Sequence, residues 1–332
     1  MSISGIIPTT TTSERRAMDG AGLVVPTLAG VPAPVLDAAY ASCRDITRRA
    51  ARNFYYGLCL TPEPRRSAVY SVYAWMRAAD DQVDEAGTIG ERRARLTSLR
   101  ERTERVLAGD LPGPDAEPFW TAFAATLASY PIDHAFVLAM LDGLAEDLDH
   151  TGYATREDLE RYCYRVGSTV GLTCIAIWGL RPDADAALAT EKSIRRGKAF
   201  QLTNILRDIG QDFDDLPRRV YVPASDLAAN GLSAPQLRSW AEPERCRALV
   251  QGLSALAREH YRASAGLEDL IDAACAPALW GMTRIYSDLL RMIEADPASV
   301  VSPQRVRLSS ARKGLIALSA VIRQRTQAWT VS

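Results

Sequence analysis

Gln201, Asn204, Asp208 and Asp212, in the stretch from Ala199 to Pro223, recur at intervals of three and four residues. On a helix that spacing stacks two amides and two carboxylates along a single face. Ala199, Leu202, Ile205, Leu206 and Ile209 form an apolar side, so the helix must lie against a core while its acidic stripe looks elsewhere. The ordinary explanation of two acids one turn apart is a solvated surface. Amides are poor choices for a merely soluble face, however, and like charges at i,i+4 cost roughly 0.2–0.5 kcal/mol unless a cation offsets them. A second stripe repeats the pattern upstream. Between Ala68 and Gly87, Tyr73, Arg77, Asp80 or Asp81, and Asp84 again follow steps of three and four. Two helices that each present aspartates from an apolar body, without His or Cys, suit Mg2+, which is held by one or two carboxylates together with the phosphates of a substrate. The inference is a diphosphate held through magnesium between two facing acidic helices.

The rest of the chain reads as helix after helix from Val35 onward. Segments are expected at about 35–60, 64–86, 90–108, 116–129, 132–150, 155–179, 183–214, 233–240, 243–265, 266–295 and 311–327, punctuated by Gly and Pro. No strand-like alternation and no fixed repeat interrupts them. The fold class is therefore all-α: one helical domain over 35–332, preceded by a Thr-, Pro- and Gly-rich mobile arm over 1–34. Within that arm Asp19 and Pro26 interrupt the apolar stretch after Arg15-Arg16, which argues against a twin-arginine leader. The longest apolar runs, Val170 to Leu180 and Leu315 to Ile322, are about half of the ~20 residues a bilayer span needs.

Lys and Arg number 39 against 40 Asp and Glu, so nucleic acid has no electrostatic support as a partner. Six scattered cysteines without a CxxC pair read as reduced core residues of a cytosolic protein.

Four ordered motifs carry a resemblance. Phe54-Tyr55-Tyr56; Tyr73-Ala74-Trp75-Met76-Arg77 leading into Asp80-Asp81-Gln82-Val83-Asp84; Tyr162-Cys163-Tyr164 leading into Thr169-Val170-Gly171; and Gln201-Leu202-Thr203-Asn204-Ile205-Leu206-Arg207-Asp208 together look like the squalene and phytoene synthase family, from about Ala39 to Leu318. The resemblance implies an isoprenoid synthase fold, a helical bundle around a central apolar cavity with the aspartate motifs at its mouth. It implies metal binding by Asp80, Asp84, Asn204, Asp208 and Asp212. Arg52, Arg77 and Arg219 resemble diphosphate-contacting cations, and Tyr73, Tyr162 and Gln201 resemble polar cavity residues near the reacting carbons. Phe54 joins the substrate-binding set. Tyr286 and Arg305 look like the C-terminal tyrosine and arginine that reach back to the diphosphates. The plain alternatives are core aromatics for Tyr73 and Tyr162, and a surface charge for Arg305. Two departures stand out: Ala50 occupies a position where many relatives carry His, and the longer segment before Tyr221 leaves open whether Arg218 or Arg219 is the phosphate contact.

The implied reaction is Mg2+-dependent (Mn2+ substituting) head-to-head condensation of two geranylgeranyl or farnesyl diphosphates through a cyclopropyl diphosphate, of phytoene synthase or presqualene diphosphate synthase type. An NADPH-dependent squalene synthase is the alternative, although no glycine-rich dinucleotide fingerprint is present. Head-to-tail prenyltransferases, terpene cyclases and a non-enzymatic helical scaffold rank lower, as does a di-iron bundle, because no His follows a Glu by three residues. The expected location is cytoplasmic, peripheral on the inner membrane face, with downstream isoprenoid enzymes as partners.

Overall fold

The computed structural model describes residues 26–113, 115–150, 152–215 and 218–326, without the side chains of Arg52, Asn53, Arg325 and Thr326. Helices α1 (Ala33–Ala50), α2 (Arg52–Leu58), α3 (Arg65–Asp84), α4 (Ile89–Leu107), α5 (Pro118–Ser129), α6 (His134–Leu148) and α7 (Arg156–Cys163) make the first half. A π-turn over Tyr164–Ser168 leads into α8 (Thr169–Trp178), followed by α9 (Ala186–Asp214), α10 (Ala224–Ala229), α11 (Ala234–Ser239), α12 (Pro243–Ala263), α13 (Ala276–Ala295) and α14 (Ser310–Thr326). Among the described residues there is no strand, only an isolated bridge between Leu180 and Ile271, and no helix is long and apolar enough to cross a membrane. The all-α class holds.

Several differences from the sequence expectation have local causes, and the helix expected over 35–60 is divided at Ala51 into α1 and α2. The helix expected over 155–179 is broken by the π-turn, and the one expected over 266–295 begins only at Ala276, after a 3-10 turn at Leu267–Asp269 that follows left-handed Gly266. The short α10 was not expected at all. Of the arm expected over 1–34, residues 1–25 lie outside the described ones. Residues 26–32 run against the body, with the Thr27 N–H donating to Ser129 Oγ and Leu28 packed on the core, and the helix proper starts at Ala33.

Helix α3 shows how sequence positions the site. Val69, Val72, Tyr73, Met76 and Asp80 fall at helical spacing and line one cavity. The opposite side carries Trp75, which stacks on Phe123 of α5 at 4.9 Å and donates from Nε1 to Thr103 Oγ1 of α4. Such a pair combines a large buried area with a satisfied polar handle, so α3 is held rigidly from behind while its other face stays available. Helix α9, 29 residues long, is held in the same way by α12, with Leu202, Leu206 and Thr203 buried at its back. Its front meets the π-turn at glycine. A Cβ on Gly197 would stand 2.4 Å from Ser168 Cα, and one on Gly167 2.7 Å from the Gly197 carbonyl oxygen. Only paired glycines allow these backbones to touch, and the π-turn is the local adjustment that brings them there. Helices α2, α3, α6, α7, α8, α9 and α13 thus ring one cavity, with α1, α4, α5, α12 and α14 packed outside. All six cysteines are free, and every one but Cys59 is buried.

Candidate active site

The cavity has a volume of about 310 Å³. Its depth is apolar, walled by Leu58, Val69, Leu144, Ile175, Trp178 and Leu279, while Asp80, Asp147, Gln201 and Asn204 crowd one end. Of the residues singled out in the sequence, Phe54, Tyr73, Asp80, Tyr162, Gln201 and Asn204 line the cavity directly. Tyr286 stacks against Phe54 and Phe200 at 5.0 and 4.8 Å and is hydrogen-bonded to Asn204. Burial raises its phenol to about 12; burial, with Asp80 adding to it, does the same to Tyr73. Both therefore act as neutral rings with a polar tip.

The acidic end is knitted by arginines. Arg77 pairs with Asp81, Asp80 lines the cavity, and Asp84 is half exposed. Arg219 reaches Asp84 at 3.2 Å, and its backbone N–H donates to the Asp212 carbonyl. The two arginines differ in position: Arg218 is exposed and lies over the Phe213 ring, whereas Arg219 is half-buried and turns toward the carboxylates. Asp208 and Arg305, which the sequence reading gave to separate partners, pair with each other, and Arg207 grips the same carboxylate at 2.6 Å. Arg52 opens α2, and its side chain is outside the described ones.

Asp147 was missed in the sequence. It is buried in α6 and accepts hydrogen bonds from Tyr162 Oη at 2.9 Å and Tyr221 Oη at 2.8 Å, so the two rings stack at 5.3 Å. The available signal was its spacing from Met140 and Leu144, which puts an acid on the apolar stripe of the helix. Arg196 was missed too. It lines the cavity wall yet is 4% exposed, with Glu268 at 2.6 Å, Ser264 Oγ and the Ser264 carbonyl each at 2.8 Å, and Thr283 completing its partners.

Among the described residues no group of three or more His, Cys, Asp or Glu side chains forms a metal cage by itself. The donors nevertheless fit a hard cation that completes its shell with phosphate oxygens. The Asn204 amide oxygen is buried without a partner at the acidic end, and a buried acceptor left unpaired is costly. Burial and the Asp84 carboxylate push Asp80 up to about 7 against the pull of Arg77; burial and Asp208 do the same to Asp212 against Arg219 and Arg305. Burial holds Asp147 at about 6 against Arg219 and its two phenol donors. The folded state thus binds protons that the unfolded chain, with carboxyls near 3.8, releases. Stability from these groups is complete below pH ~4 and is lost as pH rises through ~6–7. The unfolding midpoint of EDTA-treated protein is expected to fall between pH 5 and 8, and Mg2+ with inorganic diphosphate to reverse the fall. A midpoint independent of pH, or one that rises over this window, contradicts the electrostatic picture.

Comparison with known proteins agrees with this arrangement. Residues 47–312 match the squalene/phytoene synthase family model. The 15-cis-phytoene synthase of Synechococcus elongatus is 35% identical over 268 residues, covering 78% of this chain and 85% of that protein. The phytoene synthase of Mycobacterium tuberculosis is 31% identical over 289 residues, covering 86% and 91%. Among solved structures, a dehydrosqualene synthase in complex with ligand superposes with a TM-score of 0.76 at 27% identity, over 88% of this chain and 98% of that one. A squalene synthase from Alicyclobacillus acidocaldarius superposes at 0.70, also at 27% identity, over 80% and 96%. With an all-helical body, an apolar cavity and two aspartate helices at its polar end, this chain belongs to the squalene/phytoene synthase family.

Proposed function

We propose that the chain is a prenyltransferase that joins two prenyl diphosphates head to head, through a cyclopropyl diphosphate, to a phytoene-type or presqualene-type product. The observation that carries this reading is the polarity of one cavity: apolar over its depth, with Asp80, Asp147 and an orphaned amide oxygen at one end and the charges of Asp84 and Arg219 acting on those carboxylates from beside them. A long hydrocarbon with a diphosphate head matches that division.

Asp80 and Asp84 from α3, with Asn204, Asp208 and Asp212 from α9, are the residues to hold Mg2+, or Mn2+ in its place. Bound there, the metal supplies Lewis-acid neutralisation of the departing diphosphate. Arg77, Arg219 and Arg305 add fixed positive charge for its oxygens. Asp208 would serve as a metal ligand in competition with Arg207 and Arg305, and these guanidinium groups would be placed to pair with phosphate oxygens. Phe54, Phe200 and Tyr73 line the cavity, where their rings exclude water and supply π-electron density for an allylic cation. Asp147, by gripping two phenols, fixes Tyr162 against Tyr221 and so keeps that wall flat.

The relatives named phytoene synthase favour the branch in which the last cation loses a proton. The structural neighbour named squalene synthase keeps NADPH-dependent squalene formation as the second reading. Incubation with labelled geranylgeranyl and farnesyl diphosphates and Mg2+ separates them: product yield unchanged by NADPH is expected. Conversion of an accumulated cyclopropyl diphosphate to squalene on adding NADPH selects the second reading, and absence of Mg2+-dependent diphosphate release from either substrate defeats both. We place the enzyme in the cytoplasm, peripheral on the inner membrane face, where an apolar product passes into lipid or to a downstream isoprenoid enzyme.

A further inference from the structure

Helix α14 is apolar on the side that faces away from the protein. Ile316 and Ala320 point into the core at 4% and 0% exposure, as a surface helix requires. Leu315, Leu318, Val321 and Ile322 are 58, 57, 40 and 56% exposed. At 100° per residue these four fall within one third of the circumference, so they form a continuous strip. Elsewhere among the described residues, Val35, Ile89, Leu111, Leu188 and Met292 are exposed singly, no two on the same helix, as in any soluble surface. A strip of four large side chains on one helix is a different object.

The surroundings of the strip are basic. Antiparallel packing of α14 on α13 puts Arg312 against Asp288 and the Arg323 guanidinium 4.9 Å over the Trp280 ring. Arg284 and Arg291 also reach Asp288, so three arginines surround one carboxylate, with Arg323 beside them on the same helix pair. Burial first, and then the positive charge of Arg291, Arg312 and Arg323, pulls the Arg284 proton affinity below its ordinary value, against the pull of Asp288. From Pro297 to Ser332 the sequence holds six basic residues and no acidic one.

We propose that α14 is a docking surface for a lipid bilayer containing anionic headgroups: the leucine and isoleucine strip enters the headgroup boundary and the arginine rim pairs with lipid phosphate. An apolar strip edged by cationic side chains is the pattern of helices that lie in a membrane interface. A second copy of this chain fits less well, because a two-fold interface would set one arginine rim against the other. Position adds a reason: α14 packs on α2 and α13, whose opposite sides supply Phe54, Leu58, Leu279 and Met282 to the cavity wall. One helix layer therefore separates the proposed membrane face from the apolar chamber. The docking inference stands on this surface alone and does not depend on which hydrocarbon the chamber makes.

The test is co-sedimentation of the full chain with vesicles of phosphatidylcholine, with and without about 30% phosphatidylglycerol. Binding to the anionic vesicles is expected, weakened by salt, and lowered about tenfold or more in the triple variant Leu315→Ser/Leu318→Ser/Ile322→Ser. Because the three side chains are exposed, the variant is expected to keep its circular dichroism, its unfolding midpoint and its diphosphate release in detergent. The proposal is overturned if wild type fails to bind, or if the triple variant binds equally well. It is also overturned if light scattering shows a wild-type dimer that the variant dissociates while wild type ignores vesicles, which would make the strip an interface between copies.

Discussion

Asp80→Asn is expected to lower turnover of the preferred prenyl diphosphate by about 10²–10³-fold at saturating Mg2+, the usual loss when one group that stabilises developing charge is removed. The same substitution is expected to raise the unfolding midpoint of the metal-free protein at pH 8. Asp80 is driven toward its neutral form by burial and by Asp84, so its charge opposes folding wherever the pH exceeds ~7, and an amide removes that cost. Asp212→Asn shares both signs, for burial and Asp208 act on it alike. Asp208→Asn is the informative contrast. Its carboxylate is gripped by Arg207 and Arg305, so neutralising it leaves two guanidinium groups facing one another, and activity and stability should fall together. Measuring kcat and the midpoint for all three variants checks the scheme. Full activity in both Asp80→Asn and Asp212→Asn would remove these residues from the site, and a stabilised Asp208→Asn would contradict the pairing.

The largest loss of stability is expected at a residue outside the acidic motifs. Glu268 is 1% exposed and is the only carboxylate hydrogen-bonded to Arg196 among the described residues. Glu268→Gln leaves a guanidinium buried without a counter-charge, which typically costs about 3–5 kcal/mol. Urea unfolding followed by circular dichroism reads the loss as a lowered midpoint with little change in slope. The double variant Arg196→Met/Glu268→Leu should recover most of it, since apolar replacement of a whole buried pair is close to neutral. A Glu268→Gln midpoint within about 1 kcal/mol of wild type would mean that water or another group compensates Arg196.

What was legible beforehand follows from the range of each signal. Helix α9 was expected over 183–214 and spans Ala186–Asp214, because its stripe is local and Asp185 caps it by accepting from the Ala187 and Leu188 N–H groups. The shared face of Gln201 and Asn204 followed from spacing, whereas spacing left Asp80 and Asp81 open and the structure puts Asp80 in the cavity lining. By contrast, Asp147 sits in Glu146-Asp147-Leu148-Asp149, which reads as solvated acid until tyrosines 15 and 74 residues away are seen to bond it. Arg196 looked like one of two ordinary arginines in Ile194-Arg195-Arg196-Gly197, and its partner lies 72 residues on. Arg218 and Arg219 differ only in how an irregular loop aims them. The π-turn depends on the contact of Gly167 with Gly197, a meeting of distant backbones that no local propensity encodes.

The Arg196 pair also bears on the field inside the chamber. An allylic cation formed there would meet a bare guanidinium at ~6 Å with a repulsion of roughly 3 kcal/mol at an effective dielectric of ~20, which corresponds to about a hundredfold in rate if unrelieved at the transition state. Glu268, Ser264 and Thr283 close around Arg196 from behind the wall, converting a monopole into a short dipole whose potential decays far more steeply. The chamber can then use the long arginine stem and its tight anchoring as wall material while a carbocation drifts past without being pushed back toward the departing diphosphate.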